Sequence, residues 1–306
     1  MMMGRLRGAA ARYAVMGLAG WAAVGFGWSH EARSADASAG SAAIEEAAPS
    51  PGVAAETTAE TEQRAQIEEM TRDAIGSLQR AGDFLAAQNS FRVEADLSFD
   101  VLQSNGYMLE FGGTREITLR RPDRLRLEAS RRDGKSSVLY FDGKTISVDL
   151  PGHQAFVREE YSGTLYAAID RLVDELGVPA PLEDLLSENF ASTMIDRIES
   201  GFYVGPAEIE GRPSEHLAFR LRDIDVQLWI EEGKRPLISR IVIIYRRAEG
   251  RPQFRARLRN WDLSPTTSES LFRFQPEPES ERLRVGSVGV APRIDAQPGG
   301  RWGRTE

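Results

Sequence analysis

The sequence predicts an α+β protein, a strongly curved antiparallel sheet whose concave face is covered by helices. Three observations support this prediction. Apolar residues recur at helical spacing over 67–85, alternate with polar residues over 91–101, and return to strand-like patterns after 201, with a second helical segment between the two groups of strands. Strands, a helical insertion and more strands are the order expected of such a sheet. Periodicity alone also permits a closed barrel or a two-layer sandwich.

The first helix carries one apolar stripe. Its members are spaced three or four residues apart, and they are Ile67, Met70, Ala74, Leu78, Ala81 and Leu85. This spacing places them on one side of an α-helix. Asn89 and Ser90 end the pattern.

The first strand follows, and it is unusually long. From 91 to 101 an apolar residue stands at every second position, with arginine, carboxylates and serine between. This alternation predicts an antiparallel strand with one buried face and one solvated face. A turn at 104–106 reverses the chain, and Gly112 and Gly113 then predict a bulge or a sharp bend.

A β-hairpin is predicted at Asp142 and Gly143. The pair lies between the apolar runs 138–141 and 145–148. Asp-Gly between two such runs is the strongest short-range signal for a hairpin.

The second helical segment begins near 165. Apolar residues recur at helical spacing up to Leu176, and Gly177 and Pro179 then form a strong stop signal. Short apolar helices continue to about 198. Strand patterns resume after Gly201.

Several short motifs carry a family resemblance. They are Arg121-Pro122 before a basic strand, the hairpin sequence Asp142-Gly143-Lys144-Thr145, Phe84 to Gln88 leading into the first strand, Gln227 to Glu231, and Asn260 to Leu263. Together they resemble a bacterial family of predicted periplasmic proteins of unknown function, with a fold like that of the lipoprotein localisation factors LolA and LolB. The resemblance covers 64–278. It implies an open half-barrel with helices in its mouth and an apolar cavity between them.

The ends of the chain differ from its middle. Residues 1–37 resemble a signal peptide, with a basic start, an apolar run over 14–28 and small residues at 35–37. The run is shorter than the ~20 residues that span a bilayer, although an uncleaved anchor remains the alternative. Residues 38–62 are predicted to be a disordered tether, 63–280 the LolA-like domain, and 281–306 a flexible tail in which Leu283 and Val285 permit a short edge strand. The predicted location is the periplasm.

Composition narrows the function classes. The chain has no cysteine, which excludes disulfides, thiolate metal sites and the acylated cysteine of a lipoprotein. The net charge of −8 argues against nucleic acid as a partner, because phosphate binding requires a basic surface.

Signals for catalysis are scarce. The sequence has three histidines and none of the spacings of zinc proteases or serine hydrolases. We interpret His216 as a strand residue satisfied by a neighbour. The carboxylate pairs 159–160 and 231–232 stand at strand ends and turns, where charge is ordinary. We therefore expect no enzyme activity, catalytic residue, metal or cofactor.

The predicted ligand cavity is apolar. Its residues are Phe99, Leu119, Leu125 and Leu228 on the sheet, and Ile169, Leu172 and Leu186 on the helices. A wider set adds Phe91, Leu97, Ile117, Val226, Ile230, Leu258, Leu165, Leu185, Met194 and Ile195. Each residue by itself is better explained as core. The hypothesis concerns the set, because helices can part from a half-barrel and leave a groove. Alternation predicts that Trp229 and Trp261 point away from this face.

The arginines form two groups and one special case. Arginines crowd 120–135, and Arg255, Arg257 and Arg259 occupy alternate positions of one strand. They form either a solvated outer face or a contact with anionic headgroups. Arg121 matches the arginine before proline in the LolA-type motif. The resemblance implies that Arg121 ties the helical lid to the barrel by bonding the end of the helix over 165–176. Because another arginine, Arg120, comes directly before it, the motif leaves open which of the two arginines has this role.

Three functions follow from these expectations. The leading hypothesis is a non-enzymatic periplasmic binding or carrier protein for an apolar ligand, which is a lipid, an acyl chain or a lipidated protein. The second is an envelope-stress regulatory module with an inner-membrane partner. The third is a hydrolase with an unrecognised carboxylate pair.

Overall fold

The computed structural model of the protein describes residues 58–176 and 182–283. The first half comprises α1 Thr58–Ala86, β1 Ser90–Leu102, β2 Met108–Arg120, β3 Arg124–Arg131, β4 Ser136–Phe141, β5 Thr145–Leu150, a 3-10 turn at Pro151–His153 and β6 Ala155–Glu160. The helical insertion comprises α2 Leu165–Leu176, a 3-10 turn at Glu183–Leu186 and α3 Phe190–Ile195. The second half comprises β7 Ile198–Ile209, β8 Arg212–Leu221, β9 Ile224–Glu231, β10 Ile238–Tyr245, β11 Gln253–Asp262, a 3-10 turn at Glu269–Phe272 and β12 Glu281–Leu283.

The strands of the described residues form one open sheet. Its order is β12-β6-β5-β4-β3-β2-β1-β11-β10-β9-β8-β7. Neighbours are antiparallel except β12, which lies parallel to β6. Because β12 and β7 stand at opposite edges, the sheet is neither a closed barrel nor a sandwich. The predicted fold class, an α+β open half-barrel of antiparallel strands, is confirmed.

The alternation in β1 sets the two faces of the sheet. Its odd-numbered residues from Phe91 to Phe99 are buried, while the even-numbered polar residues between them are partly exposed. We call the side of Phe91 the inner face. β1 pairs with β2 on one side and with β11 on the other, so this strand joins the two halves of the sheet.

Helix α1 packs against β7, β8, β9 and α3. Ala74, Leu78, Ala81 and Leu85 of the predicted stripe are buried, whereas Ile67 and Met70 are exposed. The approach to α3 is close, because a Cβ on Gly82 would lie 2.2 Å from the Cβ of Ala191. The stripe is therefore packed along its second half.

The hairpin at Asp142 is confirmed. β4 and β5 pair on either side of it, and Gly143 has a φ of +83°. Asp142 Oδ1 accepts bonds from the backbone amides of Lys144 and Thr145 at 3.0 and 2.8 Å. Burial raises the pKa of the Asp142 carboxyl, but these bonds and the Thr145 hydroxyl outweigh burial and hold the pKa below its usual value.

Gly112 and Gly113 do not form a bulge. The ladder from β2 to β1 runs through both glycines without a shift in register, and the ladder from β2 to β3 begins at Gly113. A Cβ on Gly112 would lie 2.3 Å from the carbonyl oxygen of Leu97, and one on Gly113 would lie 2.1 Å from that of Ser130. The two glycines are therefore explained by close approach of the neighbouring backbones.

Trp261 lies on the inner face, and its predicted orientation is wrong. Asn260 has a φ of +54°, and the register between β1 and β11 shifts by one residue beside it. This β-bulge turns the next side chain to the other face. Trp261 therefore packs on Phe91, with ring centroids 5.3 Å apart, and its Nε1 donates to the carbonyl of Ile238 at 3.2 Å.

Two elements lie partly or wholly in the segments predicted as tether and tail, and the second is the short edge strand that the sequence permits around Leu283. Helix α1 begins at Thr58, inside the predicted tether 38–62, because residues 58–66 are mostly good helix formers. Strand β12 begins at Glu281, inside the predicted tail 281–306, because Leu283 packs with Val148 and Val157. The predicted signal peptide and most of the predicted tether and tail lie outside the described residues.

Among the helices of the described residues, none is long and apolar enough to cross a membrane.

The bulge at Asn260 is testable by substitution. Asn260→Val should lower the free energy of unfolding by about 1–2 kcal/mol more than Asn260→Gly, because a β-branched residue is strained at positive φ and glycine is not. Both variants lose the 2.9 Å bond from the Asn260 amide to Glu94, so their difference isolates the backbone. Urea unfolding measures it, and equal losses would contradict the left-handed conformation.

Candidate ligand-binding site

A small apolar recess lies between the inner face and the helical insertion. We call residues 165–176 and 182–195 the helical cover. The lining residues are Phe91, Val93, Ile117, Leu258 and Trp261 of the sheet, and Leu182, Leu185 and Leu186 of the cover. The recess has about 200 Å³ of empty space, part of it open to solvent, and it has no room for a water molecule. The cover is therefore closed on the sheet.

The predicted cavity residues come together in one core. Phe99, Leu119, Leu125, Leu228, Ile169 and Leu186 are all buried, and they belong to one continuous apolar cluster. Leu186 lines the recess, whereas the other five lie in the packed core around it. Leu172 lies in α2, but its side chain is outside what the structure describes. The binding role of this set stays a prediction.

Three lining residues escaped the sequence analysis. Val93 belongs to the alternating strand and could have been included on that pattern. Leu182 follows a stretch of sequence in which apolar residues do not recur at a helical or strand-like spacing. Trp261 was placed on the wrong face because the bulge at Asn260 has no signature in a two-residue repeat.

Arg121 joins the sheet to the cover. Its Nε donates to the carbonyl of Gln88 at 3.1 Å, and its Nη1 donates to the carbonyl of Leu186 at 2.9 Å. The side chain is 10% exposed, and Glu188 lies 3.7 Å from it. The prediction that Arg121 bonds the end of α2 is wrong, because its bond to the cover reaches Leu186, in the 3-10 turn that follows α2. Arg120 instead forms an ion pair with Glu269.

The backbone around Arg121 connects further elements. The Arg121 amide donates to the carbonyl of Asn89 at 2.8 Å, and the Leu165 amide donates to the carbonyl of Pro122 at 2.9 Å. Arg121 Nη2 is buried and has no hydrogen-bond partner among the described residues. Burial lowers the pKa of the Arg121 guanidinium, and Glu188 offsets part of this effect. A polar junction therefore lies beside the apolar recess.

The arginine row of β11 is matched by carboxylates on the outer face. Arg255 binds Asp100 through two nitrogens, at 2.9 and 3.1 Å. Arg257 lies 3.2 Å from Glu210, and Arg259 lies 3.5 Å from Glu94. These pairs support a solvated outer face and leave little net charge there for anionic headgroups.

His216 and Trp229 also lie on the outer face. Their rings stack with centroids 4.1 Å apart. The Arg240 guanidinium lies over the Trp229 ring, 4.9 Å from its centroid. His216 Nε2 lies 3.0 Å from Gln227 Oε1. Burial lowers the pKa of His216. His216 is therefore satisfied by neighbours on its own sheet, as interpreted from the sequence.

The carboxylate pairs singled out in the sequence do not face each other. Glu159 and Glu160 are consecutive on β6, so their side chains point to opposite faces. Glu159 pairs with Arg171 of α2, and Glu231 pairs with Arg212 at 2.7 Å. Among the described residues, no group of three or more histidine or carboxylate side chains could hold a metal ion.

Comparison with known families decides the family of the chain. The family described as "Predicted periplasmic protein (DUF2092)" matches residues 74–285. The chain belongs to this family. Its description supports the periplasmic location predicted from the sequence. No curated protein is similar enough in sequence to match.

Solved structures with a similar arrangement are distant in sequence. LprF from Mycobacterium bovis is 13% identical, with a TM-score of 0.43 over 64% of this chain and 95% of that one. The MucA/MucB complex of Pseudomonas aeruginosa is 17% identical, with a TM-score of 0.35 over 65% of this chain and 60% of that one. A LolA superfamily protein from Nitrosomonas europaea is 11% identical, with a TM-score of 0.32 over 66% of this chain and 97% of that one.

The junction at Arg121 is testable. Arg121→Leu removes two charge-assisted bonds, each worth about 1.5–3 kcal/mol, and should loosen the cover while the sheet stays folded. We expect more binding of a hydrophobic dye, with an unchanged β-sheet signal in circular dichroism. Arg257→Leu is the matched control, because its pair with Glu210 is about half-exposed on the outer face. Equal dye binding by both variants would contradict a closing role for Arg121.

Proposed function

We propose that the protein is a non-enzymatic periplasmic binding or carrier protein for an apolar ligand, which is a lipid, an acyl chain or the lipid of a lipidated protein. The observation that carries the proposal is the apolar recess between the inner face and the cover, with a buried arginine tying the two together. Because the closed recess has no room for a water molecule, a chain of methylenes enters it only when the cover moves away from the sheet. The contact from Arg121 gives the cover a defined closed position.

The magnitudes favour opening by a ligand. Burial of one methylene contributes about 0.8 kcal/mol, so a chain that buries ten gains about 8 kcal/mol. Opening breaks the one bond from Arg121 that reaches the cover, at Leu186, which costs about 1.5–3 kcal/mol, and it also separates buried cover residues such as Leu185 and Met194 from the sheet. A long acyl chain replaces that lost apolar contact with its own, whereas a ligand of two or three carbons replaces little of it.

The cover is built from small elements. The 3-10 turn Glu183–Leu186 and α3, Phe190–Ile195, each span less than two turns of α-helix. Short helices have little stability of their own, and segments that open are drawn from the less stable parts of a fold. The sheet beneath can stay intact while the cover moves.

A protein-interaction role is the second candidate. Phe202 and Val204 are each 46% exposed on β7, an edge strand of the described sheet. Edge strands present unpaired backbone groups that a partner can use. This observation favours the regulatory module.

The difference between sheet and cover is testable by truncation. Leu228→Ala should cost about 2–5 kcal/mol in urea unfolding, because Leu228 is fully buried in the core on the sheet. Ile169→Ala in the cover should cost less, because part of its packing is lost whenever the cover opens. Equal costs would indicate an ordinary filled core.

The proposed function is tested by isolating the full-length protein from the periplasm. Native mass spectrometry should show bound lipid, and lipid extraction should identify it. The extracted protein should then bind lauric acid, and Arg121→Leu should release it faster. An empty protein that binds no amphiphile but captures an inner-membrane partner would overturn the carrier function and support the regulatory module.

A further inference from the structure

The end of the β1–β2 hairpin is apolar and exposed. Residues 101–109 contain no charged side chain. Tyr107 is 67% exposed, and Met108, Leu109 and Phe111 are 38%, 44% and 39% exposed. Single exposed apolar residues are ordinary on a protein surface, but four within five positions form a patch that indicates an interaction site. We call these four residues the apolar tip.

The apolar tip is held in place by the hairpin. The Gln103 amide donates to the carbonyl of Tyr107 at 2.8 Å, and the Gly106 amide donates to the carbonyl of Gln103 at 2.9 Å. Below the turn, the Phe111 ring stacks on Phe99, with centroids 6.0 Å apart. A patch that is already ordered loses little conformational entropy when it enters another apolar phase.

The apolar tip has side chains on both faces of the sheet. Leu109 and Phe111 stand opposite Val101 and Phe99 of the inner face. Met108 lies on the outer face, because successive side chains of a strand point to opposite faces. A partner that covers one face of the sheet would leave the other side of the tip exposed. A fluid apolar phase surrounds both sides at once, so the arrangement favours a lipid layer over a protein surface.

Positive charge is concentrated at the end of the sheet that carries the apolar tip. The connections between paired strands at this end are 103–107, 132–135, 151–154, 222–223 and 246–252, and they contain six basic and three acidic residues. Those at the opposite end are 121–123, 142–144, 210–211 and 232–237, and they contain four of each. The excess of cations therefore accompanies the apolar tip, in a chain whose net charge is −8.

Two of these cations flank the apolar tip. Lys135 and Arg251 are exposed, and neither takes part in an ion pair of the described residues. Arg251 follows Gly250, where an added Cβ would lie 2.6 Å from Met108 Cε, so the turn 246–252 touches the tip. Lys135 lies in the β3–β4 turn, on the other side of the β1–β2 hairpin in the sheet. Both cations are available to anions beside the tip.

The carboxylates next to the apolar tip are neutralised. Glu110 pairs with Arg132 at 3.0 Å, and Asp100 pairs with Arg255 at 2.9 Å. They therefore oppose the approach of an anionic surface only weakly. In the turn 246–252, Glu249 is exposed and forms no ion pair within the described part of the chain, so it offsets part of the positive charge there.

The start of α1 points to the same end of the sheet. Thr71 Oγ1 donates to the carbonyl of Gly201 at 2.6 Å. Farther along α1, Arg80 pairs with Glu215, which lies nearer the opposite end of the sheet. The residues before Thr71 therefore approach the end that carries the apolar tip. Two of them are exposed members of the apolar stripe, Ile67 and Met70.

We propose that this end of the sheet docks on an anionic lipid surface, with the apolar tip among the acyl chains and with Lys135 and Arg251 at the headgroup phosphates. Tyrosine favours the boundary between headgroups and acyl chains, and a shallow apolar insertion combined with basic residues gives reversible membrane binding. The inference stands apart from the carrier function, because lipid extraction tests the recess and vesicle binding tests the tip.

Vesicle binding tests the surface. Protein isolated from the periplasm is sedimented with vesicles of pure phosphatidylcholine, or of an equimolar mixture of phosphatidylcholine and phosphatidylglycerol. The mixed vesicles should bind it about tenfold to thirtyfold more tightly, as expected for two cations near an anionic surface. Added salt should remove the preference. Absence of binding to both vesicles would overturn the proposal and leave the apolar tip to a protein partner.

Paired substitutions locate the charge contact. Lys135→Gln together with Arg251→Gln should abolish the preference for the mixed vesicles. Lys144→Gln together with Lys234→Gln is the matched control, because it removes two exposed lysines from the opposite end of the sheet, and it should keep the preference. Circular dichroism confirms that each variant is folded. Equal loss in both double variants would show a general effect of net charge and would contradict the assigned cations.

A second pair of variants tests the apolar contact. Tyr107→Ser together with Met108→Ser should weaken binding to the mixed vesicles about tenfold or more, because less apolar surface enters the lipid. Phe202→Ser together with Val204→Ser removes exposed apolar side chains from β7 instead, and this control should bind as the native protein does. Native binding by the Tyr107 and Met108 double variant would overturn insertion of the tip.

A fluorescent label reports insertion directly. Because the chain has no cysteine, Met108→Cys accepts a single thiol-reactive nitrobenzoxadiazole label. Its emission should increase and shift to shorter wavelength with the mixed vesicles, since the label leaves water. The same label at Lys144→Cys, at the opposite end of the sheet, should not respond. A response at Lys144→Cys with none at Met108→Cys would show that the protein docks through the other end and that the proposal is wrong.

Discussion

The dipeptide Arg121-Pro122 fixes where the helices lie on the sheet. The Arg121 guanidinium bonds the carbonyls of Gln88 after α1 and Leu186 in the cover, and the Pro122 carbonyl accepts the first amide of α2. Apolar packing attracts without direction, so helices on a smooth sheet could settle in several positions. Hydrogen bonds have strict geometry. The ends of three helical segments are therefore held at one point, and the recess forms beside that point.

Arginine serves opposite purposes on the two faces. On the outer face, Arg255, Arg257 and Arg259 stand beside carboxylates, and partly exposed pairs of this kind add little stability but keep the surface soluble. At the junction and on the inner face, Arg121 and Arg115 have lowered pKa values because burial disfavours their charge. A charge placed where it is costly needs a compensating contact. For Arg121 that contact is the carbonyl of Leu186 in the cover.

Prediction succeeded where neighbouring residues settle the structure. The repeat in β1 and the Asp-Gly turn act over a few positions, so both elements were recognised from the sequence. Prediction failed where one backbone angle or one distant contact decides. The positive φ of Asn260 turned Trp261 inward, and the close approach of backbones at Gly112 looks like a bulge in the sequence. The partner of Arg121 was expected in α2 and is Leu186.

The sequence by itself determined the two faces of each strand, because side chains alternate along any extended chain. It also determined the family, through motifs that are short and local. Only the tertiary structure decided which strands are neighbours, and thereby brought Arg115 beside Ala129 and Leu182 over Phe91. Those contacts join residues that are far apart in the chain. They depend on the order of twelve described strands in one sheet, and no local repeat encodes that order, since every strand with a buried face can pair with several others.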